Sequence, residues 1–137
     1  MKRFAFAAAL FVAFLSTLTH AQLVDLRANI PFEFRVGQTE MPAGEYLIHE
    51  QAPGVLILRD VSGRHTIFSP FMVGESRPVA LGTGQLEFTR YGDTYFLAKL
   101  WAPESRTGLS IRKSPREAEL ARQLGLGQPA SIALVRK

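Results

Sequence analysis

Cysteine does not occur in this chain, and its absence removes several possibilities at once. There is no disulfide framework, no thiolate metal site and no cysteine to carry an N-terminal lipid. Stability therefore rests on an ordinary apolar core, which domains of about 100–150 residues can build because they bury roughly two-thirds of their unfolded surface. Long apolar runs are missing too. The longest, Phe4 to Leu15, has 12 residues, short of the roughly 20 that a helix needs to cross a bilayer. An excess of one charge is also lacking: without Lys2 and Arg3 the chain holds 14 basic against 12 acidic side chains, a net charge of +2. The nearest approach to a basic cluster, Arg106, Arg112, Lys113, Arg116 and Arg122, is interrupted by Gly108, Leu109 and Ile111. No helix-turn-helix or RNA-recognition pattern accompanies it, so it reads as a solvated face and nucleic acid is not an expected partner.

Catalytic signatures are equally scarce. No Gly-x-Ser-x-Gly elbow occurs, and Gly82-Thr83-Gly84 and Gly125-Leu126-Gly127 lack the flanks of either phosphate-binding motif. Beyond residue 21 only His49 and His65 are available as bases, and neither sits in a nucleophile context. His49, His65 and Asp60 meet only if their strands pair. Glu50 follows His49 directly, and adjacent strand residues point to opposite faces. No cofactor and no metal ion is expected from these spacings. Glu33, Glu45, Glu50, Glu87 and Asp93 offer carboxylate pairs, but they alternate with apolar residues as wet-face positions do.

What is present begins with export. Lys2 and Arg3 precede the apolar run, and Thr19 and Ala21 follow as small residues, the pattern of a secretory signal peptide over residues 1–21. The mature chain, 22–137, reads as a single β domain without a membrane span, in the periplasm or outside the cell. Val24, Leu26, Ala28, Ile30, Phe32, Phe34 and Val36 alternate with polar residues, the period of a half-buried strand. Pro31 makes this stretch an edge strand or two strands meeting at a break. Turn residues around Pro42 and Gly44 introduce a strand from Glu45 to His49. Val55-Leu56-Ile57-Leu58 is a continuous apolar run suited to a central strand covered on both faces.

Thr66 to Val73 suits a further strand, broken or bulged at Pro70, and Gly74 to Gln85 reads as the longest loop. Leu86–Arg90 and Tyr95–Trp101 form the clearest hairpin. A Gly92-Asp93 loop pairs Phe88 with Leu97, a Tyr91-Gly92 loop pairs Phe88 with Tyr95, and both keep Leu86, Phe88, Tyr95 and Leu97 on one face. Leu109 to Lys113 is a short strand. Ser114-Pro115-Arg116-Glu117 is a capping box opening a helix over about 115–124, with Leu120 and Leu124 on one stripe and Gly125 at its end. Ser131 to Val135 closes the domain. About eight short strands and one helix predict a mainly β fold, an antiparallel β-sandwich or a small β-barrel. Phe32, Phe34, Leu56, Leu58, Phe88 and Leu97 are its expected core.

Ile30-Pro31-Phe32-Glu33-Phe34-Arg35-Val36-Gly37, Met41-Pro42-Ala43-Gly44-Glu45-Tyr46, Arg90-Tyr91-Gly92-Asp93-Thr94-Tyr95-Phe96-Leu97 with Trp101, and Ser114, Glu117 and Leu120-Ala121-Arg122 follow one another along the chain. This ordered series resembles a family of small exported β proteins of environmental bacteria, with Met41 where Leu is more usual. The resemblance implies export and no particular activity.

Tyr46, Tyr91, Tyr95 and Trp101 are the candidate ligand-binding residues, because exposed aromatics on a rigid sheet stack on sugars or anchor peptides. The same residues suit half-buried strands, so packing is the competing role for Tyr46, Tyr95 and Trp101, while Tyr91 near the hairpin tip stays open between the two. The expected function is a non-catalytic envelope or extracellular module that binds a protein, a peptide or a glycan. The alternative is a small hydrolase or metal-dependent enzyme using His49 or His65. An outer-membrane barrel ranks third, since few segments approach the 9 to 11 residues of a spanning strand. Export predicts that the released product starts at or near Gln22. Intact-mass analysis of periplasmic or extracellular material checks this, and a full-length chain retained in the membrane contradicts it.

Overall fold

The computed structural model describes residues 25–77 and 82–136. The segment read as a signal peptide, residues 1–21, lies outside the described residues. These form eleven strands and one helix: β1 (Leu26–Ile30), β2 (Phe34–Val36), β3 (Thr39–Met41), β4 (Gly44–Ala52), β5 (Val55–Asp60), β6 (Thr66–Pro70), β7 (Met72–Ser76), β8 (Gly84–Tyr91), β9 (Thr94–Trp101), β10 (Thr107–Ser110), α1 (Pro115–Leu124) and β11 (Gln128–Arg136). The fold is mainly β, and its sheet is a nearly closed barrel.

The sheet runs β3-β2-β9-β8-β11-β1-β4-β5-β6. β2 and β10 share one margin of β9: β10 pairs with it antiparallel at Lys99 to Trp101, and β2 lies parallel to it, Arg35 opposite Phe96. β7 pairs with β10, and only Phe71 separates β6 from β7. One stretch of chain therefore bonds to β5 as β6 and to β10 as β7, which carries the wall almost full circle. The expected strand from Thr66 to Val73 is thus two strands with different partners. Likewise, the loop expected over 74–85 yields Gly74, Glu75 and Ser76 to β7 and Gly84 and Gln85 to β8. β10 decides this by pairing with β7, a long-range contact that leaves no periodicity in the sequence. A Cβ on Gly74 would meet Ser110 Oγ at 2.3 Å, so any side chain there would have to displace that hydroxyl.

At Pro31 the alternating N-terminal run breaks into β1 and β2, and β1 is an inner strand between β11 and β4. β5 carries buried Leu56, Ile57 and Leu58, as a strand covered on both faces should, but only β6 lies beyond it, so it is not central. The closing strand is longer than expected. β11 pairs with β8 over seven residues and with β1 at Leu26 and Arg27.

Gly92-Asp93 forms the hairpin turn, with Gly92 at φ 58°, Tyr91 opposite Thr94 and Phe88 opposite Leu97. Next, Glu87 pairs with Lys99 instead of Ala98, a bulge that reverses the side-chain phase of β9. Tyr95, Leu97 and Leu100 consequently face the interior, whereas Phe96 and Trp101 fall on the outer surface of the wall.

Inside, Phe34, Tyr46, Ile48, Leu56, Leu58, Leu86, Phe88, Leu97 and Leu134 belong to one buried cluster. Phe34 meets Tyr46 and Phe88 edge to face at 5.2 and 5.5 Å, a geometry that adds to area burial. Phe32, expected in the core, is partly buried against it and stacks on Tyr95 with centroids 3.8 Å apart. A second, smaller cluster of Tyr91, Phe96 and Leu120 lies outside the wall, under α1. Ser114 Oγ accepts from the Glu117 N–H at 3.2 Å, Pro115 opens the helix, and the N–H of Gly125 closes it on the Ala121 carbonyl.

Leu124 departs from the expected stripe and is 58% exposed. It reaches the hairpin turn, within 3.8 Å of a Cβ placed on Gly92, where the sheet ends and offers little to bury it. The residue buried beside Leu120 is Glu117.

Replacing Phe34 or Phe88 by Ala should cost about 3–5 kcal/mol, because each ring is enclosed on all sides and leaves a cavity. Denaturant midpoints measure the loss, and wild-type values for both variants contradict the core assignment.

Candidate functional site

The strand order ends at β3 and β6, the two margins of the incomplete barrel. The hydrogen-bond phase of β6 follows from the ends of its ladder with β5. Asp60 N–H donates to His65 O and Phe71 N–H to Gly54 O, both at 2.9 Å. Antiparallel pairs alternate between bonded and non-bonded, so Leu58–Ile67 and Leu56–Ser69 are bonded, while Arg59–Thr66, Ile57–Phe68 and Val55–Pro70 are not. The N–H and C=O of Thr66 and Phe68 therefore point away from β5, along with the Pro70 carbonyl, and meet no further strand among the described residues. Pro70 has no N–H, so the margin carries one outward donor fewer than it otherwise would, a common way to blunt a sheet edge.

Large apolar side chains are exposed on this margin and on the start of β7 that follows it. Phe68 is 61% exposed, Met72 54% and Val73 73%. Outward-facing Ile57 is buried, and its cross-strand neighbours are Phe68 on β6 and His49 on β4. Pro70, Phe71, Met72, Ser110 and Arg112 enclose an apolar cleft of about 220 Å³ where β6 gives way to β7. An unpaired edge, exposed apolar side chains and a cleft thus coincide. Comparison with protein-family models, with curated proteins and with solved structures finds no match.

The four aromatics singled out from the sequence do not converge here. Tyr46 is buried in the barrel, its hydroxyl donating to the Pro42 carbonyl at 2.5 Å, and burial followed by the nearby Asp60 charge pushes its pKa up to about 12. Trp101 is buried on the outer wall: its indole N–H donates to Glu87 Oε1 at 2.9 Å and the Arg77 guanidinium covers its ring at 3.7 Å. Gly108 passes beneath that ring, where a Cβ would meet it at 2.9 Å. Tyr95 is half-buried, stacked on Phe32 with Arg90 5.6 Å from its ring centre. Tyr91 is buried under α1 rather than displayed at the hairpin tip, because the hairpin ends below the helix.

The ionisable candidates are dispersed in the same way. His49 lies 3.9 Å from Asp25 and touches the Gln51 amide oxygen, whereas His65 contacts Asp60 at 3.3 Å in the β5–β6 turn. The Asp60 carboxyl is held below its ordinary pKa first by the Ser62 backbone N–H, then by the Ser62 side chain and His65. Glu45 pairs with Arg27 at 2.9 Å, and Glu50 accepts from the Gly54 N–H. Glu33, Glu40 and Asp93 line one polar cleft of about 170 Å³ beside Arg35 and Tyr95. Among the described residues no three His, Asp or Glu side chains are grouped to hold a metal, and no helix is long and apolar enough to cross a membrane.

Sequence reasoning missed the β6 margin. Its signal was there: Pro70 in an apolar strand marks an edge as readily as a break. Glu117 was also missed, since the sequence assigned it only to a capping box. Instead it is buried and accepts from the Tyr91 hydroxyl at a long 3.4 Å. Burial raises its pKa, with Lys113 and the Tyr91 hydrogen bond pulling the other way, and Tyr91 is raised by burial and by Glu117 in turn. For a carboxyl raised in the folded state, the stability it contributes is present below the ordinary value of about 4.3 and lost as pH climbs through the raised one. Glu117→Gln should therefore melt higher than the wild type at neutral pH, on the order of a few degrees, with the gap closing towards pH 4. Calorimetry across that range checks it, and a constant gap contradicts it.

Proposed function

We propose that this chain is an exported, non-catalytic binding module that takes an extended segment of another protein onto the open margin of β6. One observation carries the reading. The outward N–H and C=O of Phe68 meet no strand among the described residues, the exposed Phe68 ring stands beside them, and the exposed Met72 lines an apolar cleft just beyond Pro70. Strand addition uses these parts: main-chain hydrogen bonds supply affinity, and pockets for alternate side chains supply selectivity. A glycan is less well served, because Tyr46, Tyr91 and Trp101 are buried and Tyr95 is stacked on Phe32. The basic start, short apolar run and small residues of positions 1–21 support export, as does the ordered resemblance to small exported bacterial proteins.

Selection of displayed random peptides on the purified chain tests this. Enriched peptides should alternate apolar and polar residues, and Phe68→Pro, which removes both the outward donor and the ring, should weaken them at least about tenfold. That factor corresponds to about 1.4 kcal/mol, within reach of one edge hydrogen bond and one apolar contact. Circular dichroism verifies that the variant folds. Failure to enrich any peptide, or equal binding by folded Phe68→Pro, contradicts the reading.

A further inference from the structure

Resting on that strand-addition reading, we infer that the segment taken by β6 is acidic at both ends and apolar in its middle. The margin itself sets this pattern. At one end, Arg59 is the cross-strand neighbour of Thr66 and Arg64 lies in the β5–β6 turn. At the other, Arg112 lines the apolar cleft with Pro70, Phe71 and Met72. All three arginines are exposed, and among the described residues none of them is in an ion pair. The acidic groups nearby are already engaged: Asp60 with Ser62 and His65, and Glu75 with Lys99 at 3.0 Å. Between the two basic ends the exposed large apolar side chains are Phe68 and Met72.

Two cationic ends around an apolar centre are complementary to a strand of opposite pattern. With a rise of about 3.3 Å per residue, the stretch from Thr66 to Pro70 spans about 13 Å, which places the partner's carboxylates roughly four to six residues apart. A second copy of this chain fits worse. Antiparallel pairing of β6 with itself about Phe68 would bring Arg59 and Arg64 of one copy beside Arg112 of the other, and would set donor-less Pro70 against Thr66. An anionic membrane surface would satisfy the arginines but leave the outward N–H and C=O of Phe68 without strand partners.

The peptide selection described above decides this through the composition of its winners. Asp and Glu should be enriched at both ends of the selected sequences. The best of them, made synthetically, should bind about tenfold less tightly to the triple variant Arg59→Gln, Arg64→Gln, Arg112→Gln, with melting temperature unchanged. It should also weaken as salt rises from about 50 to 500 mM. Winners with neutral or basic ends, or equal affinity for the triple variant, overturn the acidic partner while leaving strand addition at β6 intact. No winners at all overturn both. Binding to phosphatidylglycerol vesicles that the triple variant loses, with no peptide enriched, overturns both in favour of a lipid surface.

Discussion

Without a covalent cross-link, the ring of strands is held by the placement of β11 between β1 and β8. Seven residue pairs join β11 to β8, and Leu26 and Arg27 join it to β1 near the opposite end of the described chain. Ala130, Ile132 and Leu134 face inward from it and complete the packing around Phe34, Tyr46 and Phe88. The half of the wall made by β1, β4, β5 and β6 meets the half made by β8 and β9 through this strand on one side, and through β7 and β10 on the other. Such closure carries a large chain-entropy cost before its contacts form, which the buried aromatic and aliphatic surface has to offset.

The bulge at Ala98 determines what the outer wall carries. Because it reverses the phase of β9, Phe96 and Trp101 emerge on the side away from the barrel core. Neither is left bare. Phe96 lies under α1 with Tyr91 and Leu120, and Trp101 is capped by Arg77 and tied to Glu87. The helix thus serves to cover one of these outward aromatic surfaces, and its burial of Glu117 follows from the closeness of that cover.

The β6 margin contrasts with this economy. Phe96 is covered by a helix and Trp101 by an arginine, while Phe68, Met72 and Val73 stay more than half exposed, Phe68 at a place where the backbone also meets no further strand among the described residues. Exposed apolar groups and unpaired edges are both liabilities in a free protein. Pro70 limits the hazard by deleting one donor from the edge. The proposed strand addition would relieve both liabilities together.

By itself the sequence determined the local features whose causes are local. The period of two through Leu26 to Val36, the break at Pro31, the Ser114 cap with Pro115 and the stop at Gly125 all depend on neighbouring residues, and each has its counterpart in the structure. The hairpin face of Leu86, Phe88, Tyr95 and Leu97 was legible for the same reason, but its register was not, since both turns preserve the apolar phase. Only the tertiary structure decided which margins stay open, where Leu124 and Glu117 lie, and whether Tyr91 is displayed or covered. Those outcomes depend on which distant strand or helix arrives at a given edge or face, and the residues at the edge carry little trace of the partner that arrives.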